Sequence, residues 1–161
     1  MVSKGVEDTI RMGSRLGKKL KKGGVVALIG DLGSGKTVFT KGIAKGLGVK
    51  NVRYVNSPTF VVIKEYKGRI PLYHFDLYRV DHPSMCDIEN YGEYFYGDGI
   101  TVIEWADKIR KLLPKKYWEV RLAAAGESER KIEIRPPSLR GGQRPTKQSK
   151  KEIASHLRCS Q

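Results

Sequence analysis

Cysteine is nearly absent: Cys86 and Cys159 are the two in 161 residues, far apart and in unlike contexts. They have neither metal-ligand spacing nor the pattern of a disulfide framework, so a reduced, cytoplasmic setting is expected. No apolar run approaches the ~20 residues needed to cross a bilayer. Met1–Val6 is charged and short of apolar residues, unlike a secretory signal. No internal repeat is visible. Acids are scarce, 17 against 31 Lys and Arg, for a formal net charge of +14. Such a charge bears on partners and solubility rather than on fold. From Pro137 to Gln161, six basic residues stand against one acid, Glu152, and this tail is expected to be mostly disordered. The body keeps +9. Composition leaves two readings open, a solvated basic surface or contact with RNA or an acidic protein.

The length suits one domain, placed at residues 1–136, with the basic tail at 137–161. Ile10, Gly13, Leu16, Gly17 and Leu20 recur on one face of a helix expected over Glu7–Lys22. Glu7 and Asp8 open it and Lys18, Lys19, Lys21 and Lys22 close it, as the helix dipole favours. Gly23-Gly24 stops it. Val25–Ile29 is a continuous apolar run, the mark of a strand buried on both faces. A second helix is expected over Thr37–Leu47, with Phe39, Ile43, Ala44 and Leu47 on one face. Strands are expected at Phe60–Tyr66 and Ile70–Phe75 around a Lys67-Gly68 turn, at Ile100–Ile103, and at Trp118–Ala124 and Arg130–Arg135. Short helices are expected near Asp87–Phe95 and over Ala106–Leu113, the latter ended by Pro114.

The chemistry is carried by Gly30-Asp31-Leu32-Gly33-Ser34-Gly35-Lys36-Thr37, which fits G-x-x-x-x-G-K-[ST] in full. Gly30, Gly33 and Gly35 lack a Cβ, so backbone N–H groups can curl inward toward phosphate oxygens. The next helix points its positive N-terminal end at the same anion. Lys36 can reach the β- and γ-phosphates, and the Thr37 hydroxyl can ligate magnesium. A chain rich in Gly and Lys can match the bare pattern by chance; its place between an apolar strand and an apolar-faced helix is what makes it specific. The expected ligands are a nucleoside triphosphate and Mg2+, with Gly30, Gly33, Ser34, Gly35, Lys36, Thr37 and Val38 as the binding residues.

Hydrolysis also requires a carboxylate near the magnesium and an oriented water. Asp76 and Glu104 each end a strand, and ligands of α/β sheets bind beyond the carboxyl ends of strands. Both acids are therefore expected to face the loop. Ser57-Pro58-Thr59-Phe60 is either a segment that senses the γ-phosphate or an ordinary turn. His74, mid-strand, is expected to be packed or hydrogen-bonded rather than catalytic. Trp105 could stack on a base or join the core. For Tyr91, Tyr94, Phe95 and Tyr96, packing is favoured over base stacking.

The loop GDLGSGKT, then SPTF at Ser57–Phe60, HFDLYR at His74–Arg79 and IEW at Ile103–Trp105, in this order, resemble the TsaE (YjeE) family from about Glu7 to Arg135. These are bacterial ATPases needed to make threonylcarbamoyladenosine in tRNA. The resemblance implies an α/β fold, a single P-loop NTPase-like domain with a mixed central sheet flanked by helices. It also implies that the nucleotide is ATP, weak hydrolysis by the chain alone and action in a complex with TsaB- and TsaD-family subunits. Carried over by residue, Lys36, Asp76 and Glu104 would be catalytic, with Thr37 and Glu104 on magnesium. Thr9 on the first helix and Arg130 in the last hairpin would contact nucleotide. The chain departs from the family at Asp87–Tyr91, which is more polar than the family's apolar helix, and the resemblance does not extend to the basic tail beyond Pro137.

Two other classes compete with this one. A small kinase would use the same loop but needs an acceptor pocket and a lid bearing arginines, and Tyr78–Tyr96 holds only Arg79. A nucleotide-gated module for RNA or protein would need no hydrolysis. A GTPase is disfavoured because no N-K-x-D motif is present. With Arg79 the sole candidate for an arginine finger in cis, slow turnover that partners accelerate is expected.

Overall fold

A computed structural model describes residues 1–58, 62–80 and 92–137. Thr59, Phe60, both cysteines, Asp87–Tyr91 and the tail from Ser138 lie outside the described residues. The element order is β1 (Val2–Ser3), α1 (Val6–Lys19), β2 (Val25–Ile29), α2 (Lys36–Gly46), a 3-10 turn (Val52–Tyr54), β3 (Ile63–Tyr66) and β4 (Leu72–Asp76). Then come α3 (Gly92–Tyr96), β5 (Ile100–Glu104), a second 3-10 turn (Ala106–Ile109), β6 (Trp118–Ala124) and β7 (Arg130–Arg135). The seven strands form one sheet in the order β1-β7-β6-β2-β5-β4-β3. Its centre, β6-β2-β5-β4, is parallel, while β3 and β7-β1 add antiparallel edges. The fold is thus a mixed α/β sheet flanked by helices, as the sequence predicts.

The apolar run Val25–Ile29 lies between two parallel neighbours and is covered on both faces. One face carries α1 and α2, whose Leu16, Leu20, Phe39, Ile43 and Leu47 pack on Val26, Leu28, Val102 and Val120. On the other face Phe75, Leu77, Phe95 and Ile109 pack on Val25, Ala27 and Ile103. Phe95 is thus core, as favoured from sequence. Tyr94 stands edge-on to Tyr73, its ring centroid 4.8 Å away.

The helix pair meets backbone to backbone. A Cβ built on Gly13 would lie 2.4 Å from the Phe39 carbonyl oxygen, and one on Gly42 would lie 2.4 Å from that of Ile10. Gly17 and Gly46 repeat the arrangement one turn on, against the carbonyls of Ile43 and Ser14. The helices run parallel, since 13 faces 42 and 17 faces 46. This close approach seats α2 on the sheet and aims its N-terminus at the end of β2.

Several elements differ from the sequence expectation: β4 is Leu72–Asp76 rather than Ile70–Phe75, α2 shifts by one residue, β5 ends one residue later, and three departures are larger. The first helix ends at Lys19 rather than Lys22, because Leu20 is extended (ψ 142°). There Arg69 donates to the carbonyls of Gly17 at 2.9 Å and of Lys18 and Leu20 at 3.3 Å, satisfying acceptors the last turn leaves open. The expected helix over Ala106–Leu113 is a 3-10 turn at Ala106–Ile109 followed by turns, entered from a left-handed Trp105 (φ 60°). Val2–Ser3 forms an unanticipated edge strand on β7, with the Met1 amine donating to the Ile132 carbonyl at 2.9 Å. A two-residue strand has no periodicity to read.

Candidate functional site

Three strand ends and one helix start converge. β2 runs straight into the glycine loop, and α2 begins at Lys36. Gly35 is left-handed (φ 96°), a conformation that favours glycine. At Gly30 a Cβ would collide with the Leu122 carbonyl oxygen at 2.2 Å. Only glycine lets the loop turn there, so the cradle rests on backbone geometry. Asp76 and Glu104, the last residues of β4 and β5, are paired neighbours in the parallel register. Both strand-end acids therefore stand beside the loop, where the sequence places them.

Glu104 is the hub, 2% exposed. Its Oε2 accepts a hydrogen bond from the Thr37 hydroxyl at 2.9 Å. Its Oε1 accepts from the Thr40 hydroxyl at 3.4 Å and from His74 Nε2 at 2.8 Å. A carboxylate only accepts, so the His74 proton sits on Nε2. His74 is fully buried, and its Nδ1 has no hydrogen-bond partner among the described residues. The imidazole is thus hydrogen-bonded within the sheet, the role expected for it. Thr40 was not singled out from sequence, although it stands one turn beyond Lys36 on the same face. Asp76 is held separately: its Oδ1 accepts from the Tyr78 N–H at 2.9 Å and its Oδ2 from the Ser57 hydroxyl.

Lys36 is 4% exposed and its Nζ donates to the carbonyls of Gly30 at 2.7 Å and Asp31 at 2.8 Å. The ammonium also lies 3.9 Å from the centroid of a Trp105 ring, a cation–π contact. Burial lowers the Lys36 pKa from its ordinary value, while Glu104, then Asp76, Asp107 and Asp31, pull it back up. The charged amine therefore depends on the carboxylates around it. Trp105 in turn stacks on Tyr78 with centroids 5.2 Å apart. A left-handed backbone at a bulky residue directly after a buried acid is strain of the sort that gathers at functional sites.

Arg130 reaches the loop from β7: its Cγ is 3.9 Å from the Cβ position of Gly35. Thr9 is buried on the β1–β7 side. Its hydroxyl shares a 2.7 Å bond with Ser3, which pairs in register with Arg130, and donates to the Gly5 carbonyl at 3.2 Å. Val38 is half-buried in the first turn of α2, and Ser34 is buried beneath the loop. The hydroxyl of Thr37 and the carboxylate of Glu104 form a hard-oxygen pair suited to magnesium. Among the described residues no group of three His, Cys, Asp or Glu could hold an ion.

A buried strand, a glycine cradle, a lysine at a helix start and strand-end carboxylates define a phosphate-loop protein of the α/β class. The family described as "Threonylcarbamoyl adenosine biosynthesis protein TsaE" matches residues 3–132. The chain is 50% identical over 115 residues to the tRNA threonylcarbamoyladenosine biosynthesis protein TsaE of Bacillus subtilis, covering 70% of this chain and 69% of that one. It is 39% identical to the protein of the same name from Treponema pallidum, covering 83% and 97%. The crystal structure of Bacillus subtilis YdiB superposes with a TM-score of 0.69 at 33% identity, covering 97% of this chain and 93% of that one. The chain belongs to the TsaE family. No helix among the described residues is long and apolar enough to cross a membrane.

Proposed function

We propose that the chain is a magnesium-dependent ATP hydrolase, acting in the cytoplasm in tRNA threonylcarbamoyladenosine biosynthesis with TsaB- and TsaD-family subunits. The observation that carries this reading is the convergence of Lys36, Thr37, Asp76 and Glu104 on one glycine cradle. The loop N–H groups and Lys36 bind the β- and γ-phosphates, and the Lys36 ammonium exchanges its carbonyl partners for phosphate oxygens. Glu104, held against Thr37, Thr40 and His74, would hold magnesium together with Thr37. A magnesium ion held there would supply charge neutralisation to the phosphates. Asp76, held by Ser57 and the Tyr78 N–H, orients the water that attacks the γ-phosphorus in line with the leaving oxygen. Arg130, whose Cγ reaches the Gly35 position, and Thr9 are assigned contacts to the nucleotide.

Turnover by the purified chain with Mg-ATP, with and without the two partner subunits, tests this reading. A rise of about tenfold or more with partners is expected, since transition-state charge in phosphoryl transfer is often completed by a group supplied in trans. Fast turnover by the lone chain contradicts partner dependence. ATP consumed one-for-one with a small acceptor, and not otherwise, points to a kinase instead.

His74 orients Glu104 and so acts on the metal at one remove. In His74→Ala the magnesium concentration for half-maximal turnover is expected to rise about 10- to 100-fold, the usual effect of losing a group that orients a ligand. An unchanged magnesium dependence would remove His74 from the account.

A further inference from the structure

Basic and acidic residues are unevenly divided along the chain. Between Thr9 and Lys64 the chain has twelve Lys and Arg and one acid, Asp31; between Glu65 and Arg135 it has twelve and thirteen. α1 and α2, which together form one layer on one face of the sheet, carry seven Lys and Arg (Arg11, Arg15, Lys18, Lys19, Lys36, Lys41 and Lys45) against two acids, Glu7 and Asp8. Seven less two leaves that helical layer a net +5.

On its outer side the two helices border a groove of about 310 Å³ lined by Arg11, Arg15, Lys18, Lys45, Ser14 and Ile10, with Glu7 at one end. Arg11, Arg15 and Lys18 follow one another at helical spacings of four and three, so they form a single stripe along α1. Arg11 is engaged by Asp8; Arg15, Lys18 and Lys45 are exposed and have no ion-pair partner among the described residues. Protein interfaces centre on buried apolar or aromatic anchors and are poor in lysine. Of the large exposed apolar residues, Met1, Val2, Val6, Leu32, Tyr54 and Tyr78, only Val6, the first residue of α1, lies on either helix, and Ile10 in the groove is half-buried. A row of cations with so little apolar surface beside it suits a row of phosphates better than a folded protein.

We propose that this face of the α1–α2 layer docks the phosphodiester backbone of RNA through Arg15, Lys18 and Lys45. The choice of tRNA as the RNA rests on the function proposed above; the basic surface does not. Because the helices run parallel, Lys45 stands nine residues beyond Lys36, roughly 13 Å along α2 from the phosphate loop. RNA held there leaves the nucleotide site open.

Fluorescence anisotropy with labelled tRNA and the full chain tests this across about 50–200 mM salt. The variant is Arg15→Gln/Lys18→Gln/Lys45→Gln, and the control is Lys115→Gln/Lys116→Gln, at exposed lysines in the segment before β6. The triple variant is expected to bind tRNA at least tenfold more weakly. The slope of log affinity against log salt should fall by roughly two, as three lost phosphate contacts imply. The control should match wild type. ATP binding, measured separately, should be equal in all three proteins, so that failure of the ATPase reading and failure of the RNA face are told apart. The proposal is overturned if wild type does not bind tRNA or if the triple variant matches wild type. It is overturned in favour of an acidic protein partner if polyglutamate binds as tightly as tRNA through the same three residues.

Discussion

Glu104→Gln is expected to lower ATP turnover on the order of 10³-fold, equivalent to about 4 kcal/mol of transition-state stabilisation. The substitution preserves shape. Its amide oxygen can still accept from His74 Nε2, and Thr37 can rotate its hydroxyl to accept from the new amide, so the sheet and loop should stand. What is lost is the negative charge beside Thr37. Magnesium affinity should drop while ATP binding through the loop N–H groups persists. A second consequence has a definite sign. Glu104 is the foremost group raising the Lys36 pKa against burial. Without it the Lys36 ammonium gives up its proton at lower pH, so loss of ATP affinity on the alkaline side should begin earlier in the variant. Turnover within threefold of wild type would remove Glu104 from the mechanism.

The second large effect is on stability. Gly42→Ala should destabilise the fold by at least 3 kcal/mol, lowering Tm by roughly 10 °C. Helix propensity alone argues the opposite, because Ala in place of a mid-helix Gly gains about 1 kcal/mol. The geometry decides the sign. The new methyl would lie 2.4 Å from the Ile10 carbonyl oxygen and 2.9 Å from Gly13 Cα, both backbone atoms that cannot rotate away. The helices must move apart, opening the core that Phe39 and Ile43 fill. Gly126→Ala, whose Cβ would meet only the Glu129 side chain at 3.6 Å, should change stability by less than about 0.5 kcal/mol. A Gly42→Ala protein that melts with wild type or above it in differential scanning calorimetry would show that the helix pair tolerates separation.

These two predictions draw on features that were legible in the sequence to different degrees. The phosphate loop, its flanking strand and helix, and the two strand-end acids were readable because each depends on local chemistry: apolar runs, glycines and a terminal carboxylate. Gly13 and Gly17 were readable as a face of α1, yet nothing local says that Gly42 and Gly46 meet them. A matching Gly-x-x-x-Gly pair on both helices is the signal that would have paired them. The convergence of Thr40 and His74 on Glu104 links residues 64 and 30 positions apart, and only the parallel register of β4 with β5 brings His74 to that carboxylate. The end of α1 was misplaced because Lys21 and Lys22 extend the basic run that suits a helix C-terminus, while Arg69, from a distant turn, supplies the closing bonds. Likewise the charge asymmetry is visible in the sequence as an acid-poor stretch, but that α1 and α2 form one layer is a property of the fold.

The central claim is that the cradle at Gly30–Thr37 binds a nucleoside triphosphate with magnesium. Titration calorimetry of ATP into the purified chain with and without magnesium, for wild type and Lys36→Ala, tests it most directly. The account predicts one saturable site that magnesium strengthens, with affinity at least tenfold weaker in the variant. No binding by wild type, or equal binding by both proteins, would contradict it.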